Sequence, residues 1–310
     1  MTSATESPPI PVPGQSFRDW SHAKPLSEAL SRAEAGVRAK PQDASQRWLM
    51  FELLCVLGHW ERALKQLQTW AGLAVTNDST AHVMRGLIRA EQQRTEVFAG
   101  ARMPATVLGE DAAAAGVAVV SGLAAALAQA GDKSAARQPA VVLEASDLAR
   151  EKALSNARDT AGRSNLQPCF DWITDSDTRI GPVAEVILVG AYRWLPFDDI
   201  ASMDKAAPGC LLDLVWSQVD IGLRNGAQLK GYMPMRYPLD ADAAPGRDAL
   251  LLGRETIWQD VGRTGVHARG QKMWTTDAGD MALLDLRACV FGDAAHQDDA
   301  AAGEGDADHR

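Results

Sequence analysis

The most suggestive polar cluster in the chain is Trp172-Ile173-Thr174-Asp175-Ser176-Asp177-Thr178-Arg179. Asp175 and Asp177 alternate as the first two ligands of a calcium loop do. The fifth position is Arg179 where an Asp or Asn is required, no Gly follows it, and no Glu closes the loop. A guanidinium beside two carboxylates predicts instead an ion pair that holds a turn. Contact with a partner polypeptide is the second reading for Asp175, Asp177 and Arg179. A metal-dependent hydrolase using Asp175, Asp177 and Asp277 is the enzymatic alternative, and it requires a bound divalent ion.

Other reactive side chains are scattered. The chain has no G-x-G-x-x-G, Walker A, G-x-S-x-G or H-E-x-x-H pattern. His22, His59, His82 and His267 have no ligand-type spacing, and nothing selects Glu255 and Asp260 over other acids. Cys55, Cys169, Cys210 and Cys289 form no C-x-x-C pair and read as reduced thiols of a reducing compartment. No catalytic, metal or cofactor-binding residue emerges, and no cofactor is expected.

The elements that must position these groups fall into two halves. Four prolines in residues 1–24 favour extended backbone, and residues 293–310, rich in Ala, Gly and Asp, read as a disordered acidic tail. Residues 25–162 carry helical periodicity. Leu26, Leu30, Ala33 and Val37 form one stripe, Lys40-Pro41 breaks it, and Leu49, Met50, Leu53, Leu54 and Leu57 begin a second helix that stops at Gly58. Trp60 to Ala71 forms a third, and Asn77-Asp78-Ser79 offers N-cap chemistry for a fourth. Further helices are expected near 111–130 and 140–160. The uncharged run from Ala112 to Gly131 has the length of a membrane span, but most of it is Ala and Gly, flanked by Glu110, Asp111 and Asp132, so a tightly packed helix is predicted.

Residues 163–292 switch to strand patterning. Val186–Val189 and Tyr192–Leu195 flank Gly190-Ala191, which suits a type II′ hairpin, and Asn225-Gly226 marks a second hairpin. Leu250–Leu252 and Ala282–Val290 are predicted as strands, and Cys210–Val215 as a short helix. The fold class expected is α+β: an N-terminal helical array resembling tetratricopeptide repeats, then a mainly antiparallel β-rich domain. Of the five tryptophans in this half (Trp172, Trp194, Trp216, Trp258, Trp274), most are expected in the core, with one or two exposed as interface anchors.

The 310 residues are 46% hydrophobic, 23% charged, and carry a formal net charge of -9. That composition supports real cores and argues against nucleic acid, whose phosphates require clustered Lys and Arg. The N-terminus lacks the basic and apolar regions of a signal peptide. Neither nucleic acid nor membrane is expected as a partner, and the location expected is cytoplasmic.

The stretch from Phe170 to Phe197, FDWITDSDTRIGPVAEVILVGAYRWLPF, resembles the signature of the ImpE/TagJ family, accessory proteins of bacterial type VI secretion. Asp213–Trp216, Pro234–Pro238 and Thr276–Gly279 match it in order. LMFELLCVLGHWERA matches the family's helical segment, with His59 in place of an acid. The resemblance implies a non-enzymatic protein that binds the N-terminal helical region of the small sheath subunit and is linked through it to the ClpV unfoldase. A structural component of the secretion apparatus is the alternative. The resemblance carries no site residues. On physical grounds Trp48, Phe51, Glu52 and Cys55, which lie off the Leu49/Leu53/Leu57 stripe, are expected to face a groove for a partner helix. Glu52 and Glu61 are expected to meet basic residues at its rim.

Overall fold

The computed structural model describes residues 25–108, 114–130, 139–239 and 248–292. The Pro-rich N-terminus and the acidic tail lie outside the described residues. Helices α1 (Leu26–Ala39), α2 (Ala44–Val56), α3 (Trp60–Ala71) and α4 (Asp78–Phe98) open the chain, followed by strand β1 (Ala105–Thr106) and helices α5 (Ala114–Ala130) and α6 (Ala140–Leu154). The remaining strands are β2 (Gly162–Ser164), β3 (Ile173–Asp175), β4 (Val183–Leu188), β5 (Ala191–Pro196), β6 (Ile200–Asp204), β7 (Trp216–Leu223) and β8 (Gln228–Pro234). After the single-turn helix α7 (Asp248–Leu251) come β9 (Thr256–Val261), β10 (Gly265–Gly270), β11 (Met273–Thr276), β12 (Gly279–Ala282) and β13 (Ala288–Phe291).

Local chemistry explains most of the helix boundaries. The Asp43 carboxylate accepts hydrogen bonds from the Ser45 and Gln46 amides at 3.0 and 3.2 Å, so the break after Lys40-Pro41 also supplies the N-cap of α2. Gly58 ends the α2 turn at φ 72°, a left-handed conformation that glycine adopts without a Cβ clash. Asn77 occupies the N-cap position of α4, but its side chain makes no cap hydrogen bond to the helix. Its side chain donates to the Trp70 carbonyl at 3.0 Å, and a 3₁₀ turn, Val75–Asn77, precedes the helix. Helices α5 and α6 pack at Gly122, where an added Cβ would lie 2.6 Å from the Ala153 methyl. The Ala- and Gly-rich run therefore allows close helix contact, with Val119, Val120, Leu123 and Leu127 buried. Among the described residues no helix is long and apolar enough to cross a membrane.

The β-rich part is mostly antiparallel. Its main sheet runs β1-β5-β4-β8-β7-β6-β13-β2, with only the β1–β5 pairing parallel. A three-stranded sheet, β12-β11-β3, and the β9–β10 hairpin stand beside it. Buried residues of the helices and of this sheet form one continuous cluster. The α+β class, helices first and antiparallel sheet second, is as the pattern predicts.

Four local expectations are corrected. Strand β1 lies within the stretch read as wholly helical, because its two residues pair with Arg193 and Trp194 of β5. Leu250–Leu252 forms the α7 turn and its exit, not a strand, since a short apolar run has no period to separate the two. Asp248 there accepts the Leu26 amide at 2.7 Å and so caps α1 from 222 residues away. Ala282–Val290 is broken by a turn, leaving β13 to begin at Ala288. The β4–β5 turn is Val189-Gly190, one residue earlier than expected. Both residues have positive φ, 51° and 70°, the requirement of a type I′ turn.

Candidate functional site

Asp177 stands at the centre of the cluster that opened the sequence. Its carboxylate accepts the Arg179 amide and Nε at 2.9 Å, Arg179 Nη2 at 2.5 Å, and the Ala268 amide at 2.9 Å. Arg179 in turn lies over the Phe98 ring of α4, 4.9 Å from its centroid. Burial alone would raise the Asp177 pKa; the adjoining Arg179 charge and its hydrogen bonds hold it below the ordinary value. This is the turn-holding ion pair expected from the residue types. Burial, reinforced by Arg179, pushes nearby His267 down to about 4, so it is neutral at physiological pH.

Asp175 does different work. Its Oδ1 accepts the Asp177 amide at 2.9 Å and the Tyr237 hydroxyl at 3.0 Å, while Lys272 Nζ lies 2.6 Å from Oδ2. Lys272 also reaches Glu185 Oε2 at 2.6 Å. Arg94 of α4 grips the same Glu185 carboxylate in a two-pronged pair, at 2.6 and 2.8 Å, and donates to the Arg236 carbonyl at 2.9 Å. Tyr192 adds a fourth donor to Glu185, and Trp194 donates to the Tyr192 hydroxyl at 2.7 Å. Arg236 closes the circuit by donating to the Cys55, Val56 and Leu251 carbonyls, which satisfies the end of α2.

These groups are sealed from water: the side chains of Lys272, Glu185 and Asp175 are 0% exposed, and that of Arg94 2%. Burial would raise Glu185, but Arg94 and Lys272 overcome it and keep the carboxylate ionised well below its usual range. Burial prevails at Asp175, pushed up to about 6 despite Lys272. The arrangement can clamp the helical half onto the sheet. Each acid and base of this cluster faces a partner within the fold.

The residues expected to line a groove on α2 are interior. Trp48, Phe51, Glu52 and Cys55 are 1%, 0%, 5% and 0% exposed. Trp48 packs on Trp70 and Phe51 with ring centroids 4.6 and 5.1 Å apart. The expectation fails for a physical reason. Helix α2 is buried on both faces, by α1 and α3 on one side and by the Leu211–Leu214 turn of the β-rich part on the other. The chain's own second half occupies the space assigned to a partner. Glu61 alone of the α2–α3 candidates is exposed. Trp194, Trp216 and Trp274 are in the core, while Trp172 and Trp258 are 36% and 45% exposed.

Sequence reading missed Arg94, Glu185, Lys272 and Arg236. One signal was available: Glu185 is the lone charge inside the apolar strand Val183-Ala184-Glu185-Val186-Ile187-Leu188, and a buried acid demands a buried cation.

A profile described as ImpE protein matches residues 167–290, which include every β-domain member of this network but not Arg94. The chain is 37% identical over 266 residues to the type VI secretion system accessory component TagJ of Pseudomonas aeruginosa, covering 86% of this chain and 87% of that one. The chain belongs to the ImpE/TagJ family. Its fold is similar to the crystal structure of a Vibrio parahaemolyticus protein, with a TM-score of 0.72 and 26% identity over 86% of this chain and 94% of the other. As an ImpE/TagJ protein it is an accessory component of type VI secretion. The matched length takes in both the helices and the sheet, so the clamp between them lies within the part shared with these relatives.

Proposed function

We propose that this ImpE/TagJ protein is a non-catalytic adaptor of the cytoplasm. It binds the N-terminal helical region of the small sheath subunit and through it serves the ClpV unfoldase that recycles contracted sheaths. The observation that carries the reading is the closed charge network. Two of the three acids that a hydrolase would use, Asp175 and Asp177, are committed to Lys272, Arg179, Tyr237 and backbone amides inside the fold, and the third, Asp277, is an exposed turn residue that accepts the Asp171 amide at 2.7 Å. Among the described residues no group of three or more His, Cys, Asp or Glu is arranged to hold a metal ion. What such a molecule offers a partner is its outer surface, and family membership supports a partner from the secretion apparatus.

The test is calorimetric titration of the full chain with a peptide of the small sheath subunit's N-terminal helix. Saturable binding that survives Asp175→Asn is the expected result. Absence of binding to both the peptide and the intact subunit removes the adaptor reading. Stoichiometric co-sedimentation with extended sheath would instead make the protein a structural component.

A further inference from the structure

The tip of the β4–β5 hairpin combines strain with exposure. Leu188 and Ala191 form its last pair, leaving Val189 and Gly190 as a two-residue loop with φ of 51° and 70°. Glycine accepts that conformation freely, whereas a β-branched side chain in it collides with its own backbone. Asn-Gly is the pair that this turn favours. The Val189 side chain is fully exposed, so it returns no packing to the fold for the strain it introduces. A strained position with no internal benefit points to a role outside the fold.

The surroundings define what could meet it. Helix α4 passes beside the turn at Gly86, whose ideal Cβ would lie 3.1 Å from Gly190 Cα. Two turns further along, Gln93 Oε1 accepts the Tyr192 amide at 3.0 Å. His82, Gly86, Arg89 and Gln93 are spaced by four, three and four residues, so exposed His82 and Arg89 flank the turn on one helical stripe, with exposed Arg85 next to it. On the other side, Ile187 pairs with Tyr232 and Leu188 meets Gly231, which brings exposed Lys230 to the tip. Lys230 has Asp220 3.7 Å away, both well exposed. An apolar knob thus sits among Arg85, Arg89, Lys230 and His82, in a chain whose formal charge is -9.

We infer that the Val189 tip and the adjoining face of α4 form a docking surface for an acidic amphipathic helix of a partner polypeptide. The partner's apolar stripe covers Val189, and its carboxylates meet the flanking cations, which set orientation and association rate. The inference rests on the adaptor reading and gives that adaptor a contact surface and a partner chemistry.

The experiment uses the full chain and a labelled synthetic helix with leucines on one face and glutamates on the other. A lysine-faced counterpart and phosphatidylglycerol vesicles are the comparison probes, read by fluorescence anisotropy and flotation. Val189→Asn is expected to raise the Tm while weakening the glutamate-faced helix about tenfold, a loss short of the largest hot-spot effects. The double variant R85E/R89E is expected to weaken it as much and to flatten its salt dependence. The inference is overturned if V189N fails to raise the Tm, if it leaves binding intact, if the native chain ignores the acidic helix, or if the lysine-faced helix or vesicles bind better. Titration of a sheath-subunit peptide separates the two readings. Equal binding to native and V189N chains leaves the adaptor standing and removes this surface; no sheath binding, with a V189N-sensitive acidic helix, does the reverse.

Discussion

Lys272 lies 2.6 Å from a carboxylate oxygen on either side, Asp175 and Glu185, with no exposed side-chain surface. Removing one member of such a set strands a charge in the interior, which costs roughly 3–5 kcal/mol. Lys272→Met is expected to lower the unfolding free energy by about that amount in urea titration, and Lys272→Met with Asp175→Asn to recover part of it, because the second change removes the stranded acid. Glu52 gives a pH-dependent counterpart. Burial, reinforced by Asp213, raises its pKa from 4.5 to about 7. A raised carboxyl favours the folded state only while protonated, so its contribution is complete below pH ~4.5 and is lost as pH climbs through about 7. Glu52→Gln is therefore expected to stabilise the protein at pH 8 by up to ~3 kcal/mol, with the advantage shrinking through pH 5 and vanishing by about pH 4, as thermal melts across that range would show. A difference that grows toward acid would contradict the assignment. The residue types made the Asp177–Arg179 pair legible beforehand, since the two groups lie two positions apart. They could not reveal that Asp175 belongs to Lys272, 97 residues on.

At the scale of elements, the α2–Gly58–α3 hairpin was legible because its determinants are local: a capping acid, an apolar run, and a glycine before the next helix. Gly58 meets two constraints at once. Its φ is 72°, and a Cβ there would come within 2.5 Å of Leu239 Cδ1. Gly58→Ala is expected to destabilise the fold by about 1–2 kcal/mol from the backbone alone, with the Leu239 contact adding to it, measured as a shift in the urea midpoint. The orientation of α2 was not legible. Leu49 and Leu57 belong to the expected core stripe yet stay partly exposed, whereas Trp48, Phe51 and Cys55 are fully enclosed. Almost the whole circumference of this helix is apolar, so periodicity selects no single face. The sequence pattern points to Gly190-Ala191, one residue past the Val189-Gly190 turn, for a similar reason. Either dipeptide contains Gly190, and only the β4–β5 register decides which pair forms the loop.

Across the whole molecule, helices and sheet share one buried cluster and are tied by Arg94–Glu185 and by Arg236 to the end of α2. A shared core with charged ties across the junction should unfold in a single step. Loss of far-UV helix signal and of Trp194, Trp216 and Trp274 fluorescence is expected to coincide in urea. Arg94→Met is expected to shift both transitions together by about 3–5 kcal/mol, leaving a buried Glu185 with only Lys272 and Tyr192. Two separate transitions would mean that the junction does not couple the halves. The sequence by itself determined the α+β class, the order of helices before hairpins, and membership of the ImpE/TagJ family, because these rest on local periodicity, turn chemistry and short motifs. Only the tertiary structure decided which groups are consumed and which are presented. Burial depends on what the distant half of the chain covers, and that half closes over α2 and the acids while leaving Val189 and its flanking cations in water.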